Sequence, residues 1–174
     1  MVVTPPALKY ECDGGPGNDA ALDLLLGSEC AEEDRRDFMR TQAVFWMLAA
    51  IDCHAKNFSI FLLSRGAYRL TPRYDILSAH PIIGHGRGKL SPEKIRMTMA
   101  VVGKNRHYRW KEIEARHWIE TAKRQGLPGM KEIIAELIEQ TPGAIARTRD
   151  SVPAGLRADV ADAIFDGLAE GAKN

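Results

Sequence analysis

The sequence has no long run of apolar residues, and this absence excludes several classes of protein. No stretch of the 174 residues approaches the roughly 20 consecutive apolar residues of a transmembrane helix. The first residues, Met-Val-Val-Thr-Pro-Pro, have neither the basic region nor the apolar core of a secretory signal peptide. We therefore expect a protein without a membrane span that works in the cytoplasm.

Cysteine is also scarce. The three cysteines, Cys12, Cys30 and Cys53, are an odd number, and none are spaced as Cys-x-x-Cys. This pattern argues against a disulfide framework and against a zinc ribbon, and it fits a reducing compartment. Cys53 stands next to His54, but sequence neighbours rarely form the hydrogen bond that activates a thiol nucleophile. We therefore predict a small buried residue at this position.

Neither sign of charge dominates the whole chain, but charge is unevenly distributed along it. The 24 basic and 23 acidic residues leave a net charge of +1, which does not by itself identify a partner. Residues 1–37 hold nine acidic and three basic residues, whereas residues 84–125 hold four acidic and eleven basic ones. The basic centre could face phosphates, either of a nucleotide or of a nucleic acid backbone.

The length and a hydrophobic content of 45% predict one globular domain over residues 1–174. Residues 1–30 are predicted to form a loop-rich lead-in, residues 31–125 a core and residues 126–174 a set of C-terminal helices. The predicted elements are helices over 34–51, 111–125, from Met130 to a break at Thr141-Pro142-Gly143 and over 156–168, with hairpins over 58–70 and 97–109. The fold class is therefore mainly α with two small β-hairpins.

The segment 44–75 carries the chemistry. A fully apolar helix leads into the polar loop Asp52-Cys53-His54-Ala55-Lys56-Asn57, and a tight hairpin then leads to Asp75. Protein kinases build their catalytic half in this order, with an Asp that accepts the substrate hydroxyl proton, an Asn five residues later and a further Asp for magnesium. The order predicts Asp52 as the base, Asn57 and Asp75 as magnesium ligands, and Lys56 as a residue that steadies the transferred phosphate.

Each of these residues also has a structural interpretation. An Asp and an Asn five residues apart are a weak signal, and Asp52 or Asp75 alone is better explained as a cap or turn residue. The succession of buried helix, polar loop, hairpin and isolated Asp favours the catalytic interpretation. A metal-dependent nuclease is a weaker alternative, since no spacing places two of His54, His80 and His85 on one helix face.

Longer strings in the sequence carry a resemblance to a known family. The strings are Ala7-Leu8-Lys9-Tyr10-Glu11 with Asp13-Gly14-Gly15-Pro16-Gly17, the loop from Asp52 to Ser59, Leu70-Thr71-Pro72-Arg73-Tyr74-Asp75-Ile76-Leu77, and Gly103 to Tyr108 with Arg116-His117-Trp118. They resemble the C-terminal domain of HipA-type kinases, the toxins of bacterial toxin–antitoxin modules. The resemblance covers residues 7–125 closely and implies a protein-kinase-like helical lobe.

The resemblance also implies roles for single residues. The position of Asp52 is that of the catalytic base, and ATP and Mg²⁺ are bound by the residues that correspond to His54, Ala55, Lys56, Asn57, Tyr74 and Asp75. The family phosphorylates a serine of an aminoacyl-tRNA synthetase. Its members are restrained by a helix-turn-helix antitoxin of the HipB type, and toxin and antitoxin bind operator DNA together.

The basic segment 104–124 has two interpretations. It is either a solvated face whose aromatic residues, Trp110 and Trp118 among them, pack into the core, or a surface that contacts the DNA backbone, as the resemblance implies. We expect Lys123 and Arg124 to contact DNA because long side chains at the exposed end of a helix can reach outward.

The sequence departs from the family pattern at its start. HipA-type kinases have a large N-terminal half with a phosphate-binding loop, a nucleotide-binding lysine and an adenine-binding hinge, and nothing before residue 7 corresponds to it. We expect this chain to correspond to the C-terminal lobe, as a fragment, one subunit of a split kinase or a decayed gene. It would then be inactive alone and need a separate chain that carries the N-terminal lobe. The alternative is a catalytically inactive lobe that binds an antitoxin or DNA.

Overall fold

Five α-helices and two antiparallel two-stranded sheets form the regular structure of residues 8–173, the part of the chain that the computed structural model describes. The elements are α1 (Asn18–Leu25), α2 (Ala31–Met47), β1 (Ile60–Leu62), β2 (Tyr68–Leu70), β3 (Arg96–Val102), β4 (Arg106–Arg109), α3 (Ala115–Arg124), α4 (Met130–Arg149) and α5 (Ala158–Gly171). β1 pairs with β2 and β3 with β4. The prediction of a mainly helical fold with two hairpins is confirmed. Within residues 8–173, none of the helices is long and apolar enough to cross a membrane.

Helix α2 is the central helix of the core. Three acidic residues in its first turn, Glu32, Glu33 and Asp34, interact favourably with the helix dipole. Residues such as Phe38 and Phe45, on its buried face, are only 1% exposed. The helix is buried as predicted but ends at Met47 rather than at residue 51.

A turn at Ala49 causes this early end. Ala49 has a left-handed φ of 48°. Its N–H bonds the Trp46 carbonyl at 3.0 Å, and the Ala50 N–H bonds the Phe45 carbonyl at 2.8 Å. This pair of bonds is the Schellman motif, which usually has glycine at the left-handed position. Because alanine stands here in place of the usual glycine, the sequence pattern does not show that the helix ends at this point.

Two of the predictions of secondary structure were wrong. The predicted loop 1–30, whose residues 1–7 lie outside the described part, contains α1, which buries Leu22 and Leu25 in the core. Because turn-forming residues flank this short helix, the sequence pattern predicted a loop. The predicted break at 141–143 is also absent, since α4 continues through Pro142. The Thr141 hydroxyl donates to the Leu137 carbonyl at 2.7 Å, and packing against α5 holds the second half of α4.

The tryptophans pack inward, as predicted. Trp118 on α3 is 1% exposed, and its ring centroid lies 6.1 Å from that of Trp46. Trp110 is half-buried and donates its indole N–H to the Trp46 carbonyl at 2.8 Å. These contacts connect α3 and the end of β4 to the second half of α2.

The first hairpin is fastened to α2 by Asp34. Asp34 is 4% exposed. Its carboxylate accepts hydrogen bonds from the Leu70 N–H, at 2.8 Å, and from the Ser28 hydroxyl. The Arg69 guanidinium lies 3.7 Å from its second oxygen. One buried side chain therefore holds strand β2, the loop before α2 and α2 itself together.

We expect Asp34→Ala to lower the free energy of unfolding by about 3 kcal/mol, because it leaves buried donors without their charged acceptor. Glu33→Ala is the matched control. Glu33 is exposed and pairs with Arg69 at 2.8 Å on the surface, so its loss should cost less than about 1 kcal/mol. Urea unfolding of both variants gives the comparison, and equal losses would contradict the role of Asp34.

Candidate active site

The end of α2 positions two loops at once. The loop 52–57 follows the turn at Ala49 directly. Segment 75–80 bonds carbonyls at this helix end: His80 Nε2 lies 3.0 Å from the Met47 oxygen, and the Ala79 N–H bonds the Ala49 oxygen at 3.1 Å, an oxygen that also accepts the Ile51 N–H. The imidazole of His80 is therefore hydrogen-bonded to the backbone of the helix end. The two loops that contain the predicted site residues meet at one helix end.

Asn57 and Asp75, eighteen residues apart in sequence, are in direct contact. Asn57 is 5% exposed, and its Nδ2 donates to Asp75 Oδ2 at 2.6 Å. Its Oδ1 accepts the His54 backbone N–H at 3.0 Å, which fixes the orientation of the amide. Asp75 has a left-handed φ of 56°, an uncommon conformation that Asp tolerates better than most residues and that is frequent at functional sites.

The chemistry of these donors suits magnesium. Asp75 supplies carboxylate oxygens, and the Asn57 amide oxygen has a second lone pair besides the one that accepts the His54 N–H; both are hard ligands of the kind that Mg²⁺ prefers. Within residues 8–173 no group of three or more His, Cys, Asp or Glu residues is placed to hold a metal by itself. This agrees with the usual magnesium site of nucleotide enzymes, where one or two protein ligands share the ion with water and substrate phosphates. The alternative of a histidine metal centre has no cluster to support it in the described residues.

Asp52 lies on the same loop with its side chain 65% exposed. Its Oδ1 accepts the Tyr10 hydroxyl at 2.8 Å and lies 3.3 Å from Lys9 Nζ. Partial burial raises the pKa of Asp52, but the hydrogen bonds from Tyr10 and Lys9 and the charge of Lys9 outweigh it, so the pKa lies below its usual value. Asp52 is therefore ionised at neutral pH.

Sequence reasoning missed Lys9 and Tyr10 as members of this site. Both residues belong to the string that carried the family resemblance, but no role followed from their position 42 residues or more before Asp52. Only the fold brings the two segments together. The string Lys9-Tyr10-Glu11 was the one available signal.

The remaining predicted site residues surround this centre. The Tyr74 hydroxyl donates to the Lys56 carbonyl at 3.0 Å and lies 2.7 Å from the Ser59 hydroxyl. An apolar cleft of about 280 Å³ opens beside the loop, between α1 and β1, and Ala55 and Ser59 contribute to its wall. Predicted residues 52–57 and 74–75 are therefore neighbours in space.

Lys123 and Arg124 lie elsewhere, in the last turn of α3, and both are exposed. Four other basic residues of segment 104–124 are ion-paired with acidic side chains: Arg106 with Glu11, Arg109 with Glu112, Lys111 with Glu93 and Arg116 with Glu114. Neither Lys123 nor Arg124 forms an ion pair with any residue in the range 8–173. These two side chains are available to an external anion.

Cys53 is a packing residue, as predicted. It is 3% exposed, and the Thr98 hydroxyl donates to its carbonyl at 2.5 Å. Burial, reinforced by the charge of Asp75, raises the pKa of the Cys53 thiol to about 12. The thiol therefore stays protonated at neutral pH and cannot serve as a nucleophile.

We expect Cys53 to resist alkylation between pH 7 and 9, because the thiolate forms only as the pH approaches about 12. Cys12 is exposed and provides the internal control. Iodoacetamide labelling followed by peptide mass spectrometry should modify Cys12 in the native protein and Cys53 only after unfolding. Equal labelling of both in the native state would be inconsistent with this environment.

The chain is similar to known proteins in both sequence and structure. The model of the HipA-like C-terminal domain family matches residues 1–145. The structure is also similar to HipA of Shewanella oneidensis MR-1, solved as part of a toxin–antitoxin system with HipB and operator DNA. That match has a TM-score of 0.77 and 19% identity over 97% of this chain, and the chain spans 40% of the length of that HipA. Because the family model covers most of the sequence, the chain belongs to the family of HipA-like C-terminal domains.

Proposed function

We propose that this chain is the catalytic lobe of a HipA-type serine/threonine kinase of a toxin–antitoxin module. The observation that carries the proposal is the hydrogen bond between Asn57 and Asp75. Asn57 lies on the loop 52–57, which also contains Asp52. Three side chains with the chemistry of phosphoryl transfer converge at the end of one buried helix. Family membership supports the same activity, although the chain spans only 40% of the HipA that it resembles.

Each residue has a distinct task in this proposal. Asp52, ionised at neutral pH, accepts a hydrogen bond from the acceptor serine hydroxyl and holds that oxygen in line with the phosphoryl group. Asn57 and Asp75 hold Mg²⁺, which when bound neutralises phosphate charge. His54, Ala55, Lys56 and Tyr74 contact the ATP, and Lys56 also steadies the phosphate that is transferred.

The partners follow from the same assignment. The similar HipA was solved with HipB and operator DNA. We infer a helix-turn-helix antitoxin of that type for this chain, with operator DNA bound by the complex and Lys123 and Arg124 contacting the DNA backbone. The substrate would be a serine of an aminoacyl-tRNA synthetase, and the three free cysteines fit a cytoplasmic protein.

Replacing Asp52 tests the activity. We expect Asp52→Asn to lower phosphoryl transfer by a factor of about 10² to 10⁴, because the amide cannot accept the hydroxyl proton although its shape is retained. The assay uses the chain joined to the N-terminal part of a HipA relative, ATP·Mg²⁺ and an aminoacyl-tRNA synthetase.

Asp150→Asn is the matched control, since this residue is exposed on the C-terminal side of α4 and should leave the rate unchanged. Full transfer by Asp52→Asn would refute the assignment of the base. No transfer by the wild-type chimera, in a protein that still binds the antitoxin, would support the alternative of an inactive binding lobe.

DNA contact should depend on salt. Each phosphate contact releases counterions, so replacing Lys123 and Arg124 by alanine should reduce the slope of log affinity against log salt by about two units. The measurement is operator affinity of the complex with its antitoxin across a salt series.

Lys111→Ala is the control for this series, because the Lys111 ammonium is paired with Glu93 at 3.1 Å and its removal should leave the slope unchanged. An unchanged slope in the double variant would return Lys123 and Arg124 to the interpretation of a solvated helix face.

A further inference from the structure

The side-chain donors to Asp52 in the described part of the chain all bond one oxygen of its carboxylate. Tyr10 donates to Oδ1 at 2.8 Å, and Lys9 Nζ lies 3.3 Å from the same oxygen. Among residues 8–173 no side chain donates to the second oxygen, Oδ2. The side chain of Asp52 is 65% exposed, so its carboxylate can be reached from solvent. The two donors therefore fix the carboxylate and leave one oxygen for another group.

The turn after Tyr10 explains how these donors are kept in place. The Gly15 N–H bonds the Tyr10 carbonyl at 2.9 Å. A Cβ at Gly15 would lie 2.6 Å from the Leu8 oxygen and 2.8 Å from the Tyr10 oxygen, so only glycine allows this close approach. Gly14 has a left-handed φ of 95°, which again favours glycine.

Glu11 fastens the same turn to the core. Its carboxylate accepts the Ala100 N–H of β3 at 2.6 Å and pairs with Arg106 of β4. A Cβ at Gly17 would lie 2.2 Å from the Glu11 carboxyl carbon, so glycine makes room for this carboxylate at the start of α1. The glycine-rich string 13–17 is thus a rigid support that presents Lys9 and Tyr10 to Asp52.

The groups around Asp52 form a small charged cluster. Lys9 Nζ lies 4.6 Å from the Tyr10 ring centroid, and the Tyr10 and His54 rings meet edge to face at 6.0 Å. The hydrogen bond with Tyr10 is the main cause that raises the pKa of Lys9, so this residue is cationic at neutral pH. Burial lowers the pKa of His54, which favours its neutral form. The carboxylate is therefore ionised and has a cation beside it.

We propose that Lys9 and Tyr10 are positioning residues for phosphoryl transfer: they hold Asp52 through Oδ1 so that Oδ2 faces the hydroxyl of the acceptor. This proposal rests on the proposed function of Asp52. General-base groups act only when their lone pair points at the proton that they accept, and a freely rotating carboxylate on an exposed loop would lose that geometry. The glycine-rich string then serves the site without touching substrate.

The first test measures the carboxylate itself. In ¹³C NMR titrations of the chain, the Asp52 carboxyl resonance is assigned by its absence in Asp52→Asn. Tyr10→Phe and Lys9→Met should each raise the pKa of Asp52, because a donor to the ionised form is removed. Lys9→Arg should restore the wild-type value. Tyr68→Phe removes a tyrosine hydroxyl that bonds the Leu24 carbonyl and should not change the pKa of Asp52.

The second test measures transfer in the chimera with a HipA N-terminal part. Tyr10→Phe and Lys9→Met should lower kcat by about 10-fold or more with an unchanged KM for ATP, as expected when only transition-state geometry is lost. An unchanged pKa of Asp52 in both variants, or an unchanged kcat, overturns the positioning role. Failure of the proposed function has a different signature, since Asp52→Asn would then retain transfer.

Discussion

The hydrogen-bonded end of α2 is the constraint on which the rest of the site depends. A left-handed Ala49 turns the chain out of the helix, and the Ala50 N–H closes the turn on the Phe45 carbonyl at 2.8 Å. Carbonyls at this helix end are then bound by segment 75–80 through Ala79 and His80. Because the helix behind this end is buried, neither loop can move without exposing core or breaking these bonds. Contact between Asn57 and Asp75 follows from this geometry.

The two carboxylates of the site have different surroundings, and the difference agrees with their proposed tasks. Asp75 has a left-handed backbone and accepts an N–H of the buried Asn57 amide at 2.6 Å, so its position is set by backbone and amide together. Asp52 is mostly exposed and accepts from two side-chain donors of a distant segment. A metal ligand requires fixed geometry, whereas a base must remain accessible to an incoming hydroxyl.

The sequence was sufficient for features that depend on local pattern. The apolar run before Asp52, the turn-bounded strands of both hairpins and the order of Asp52, Asn57 and Asp75 all follow from residue types and spacing. Features that depend on tertiary contacts could not be predicted. An alanine ends α2 where glycine is usual, α4 continues through Pro142, and Lys9 reaches Asp52 only because Glu11 is fastened to β3. Each of these is decided by a partner that is distant in sequence.

The effect of the uneven charge distribution could likewise not be predicted from the sequence alone. The acidic start and the basic centre suggested a dipolar field, yet the fold brings the two together. Arg106 of the basic centre pairs with Glu11 and lies 3.5 Å from Asp19, and both acids belong to the acidic start. Arg106 and these two acids therefore neutralise one another within the molecule, and the pair with Glu11 helps to hold the turn that carries Tyr10. Among the described residues, ion pairs involve four of the eleven basic residues of segment 84–125 and neither Lys123 nor Arg124, so the basic surface open to a polyanion is smaller than the charge count implies but includes these two.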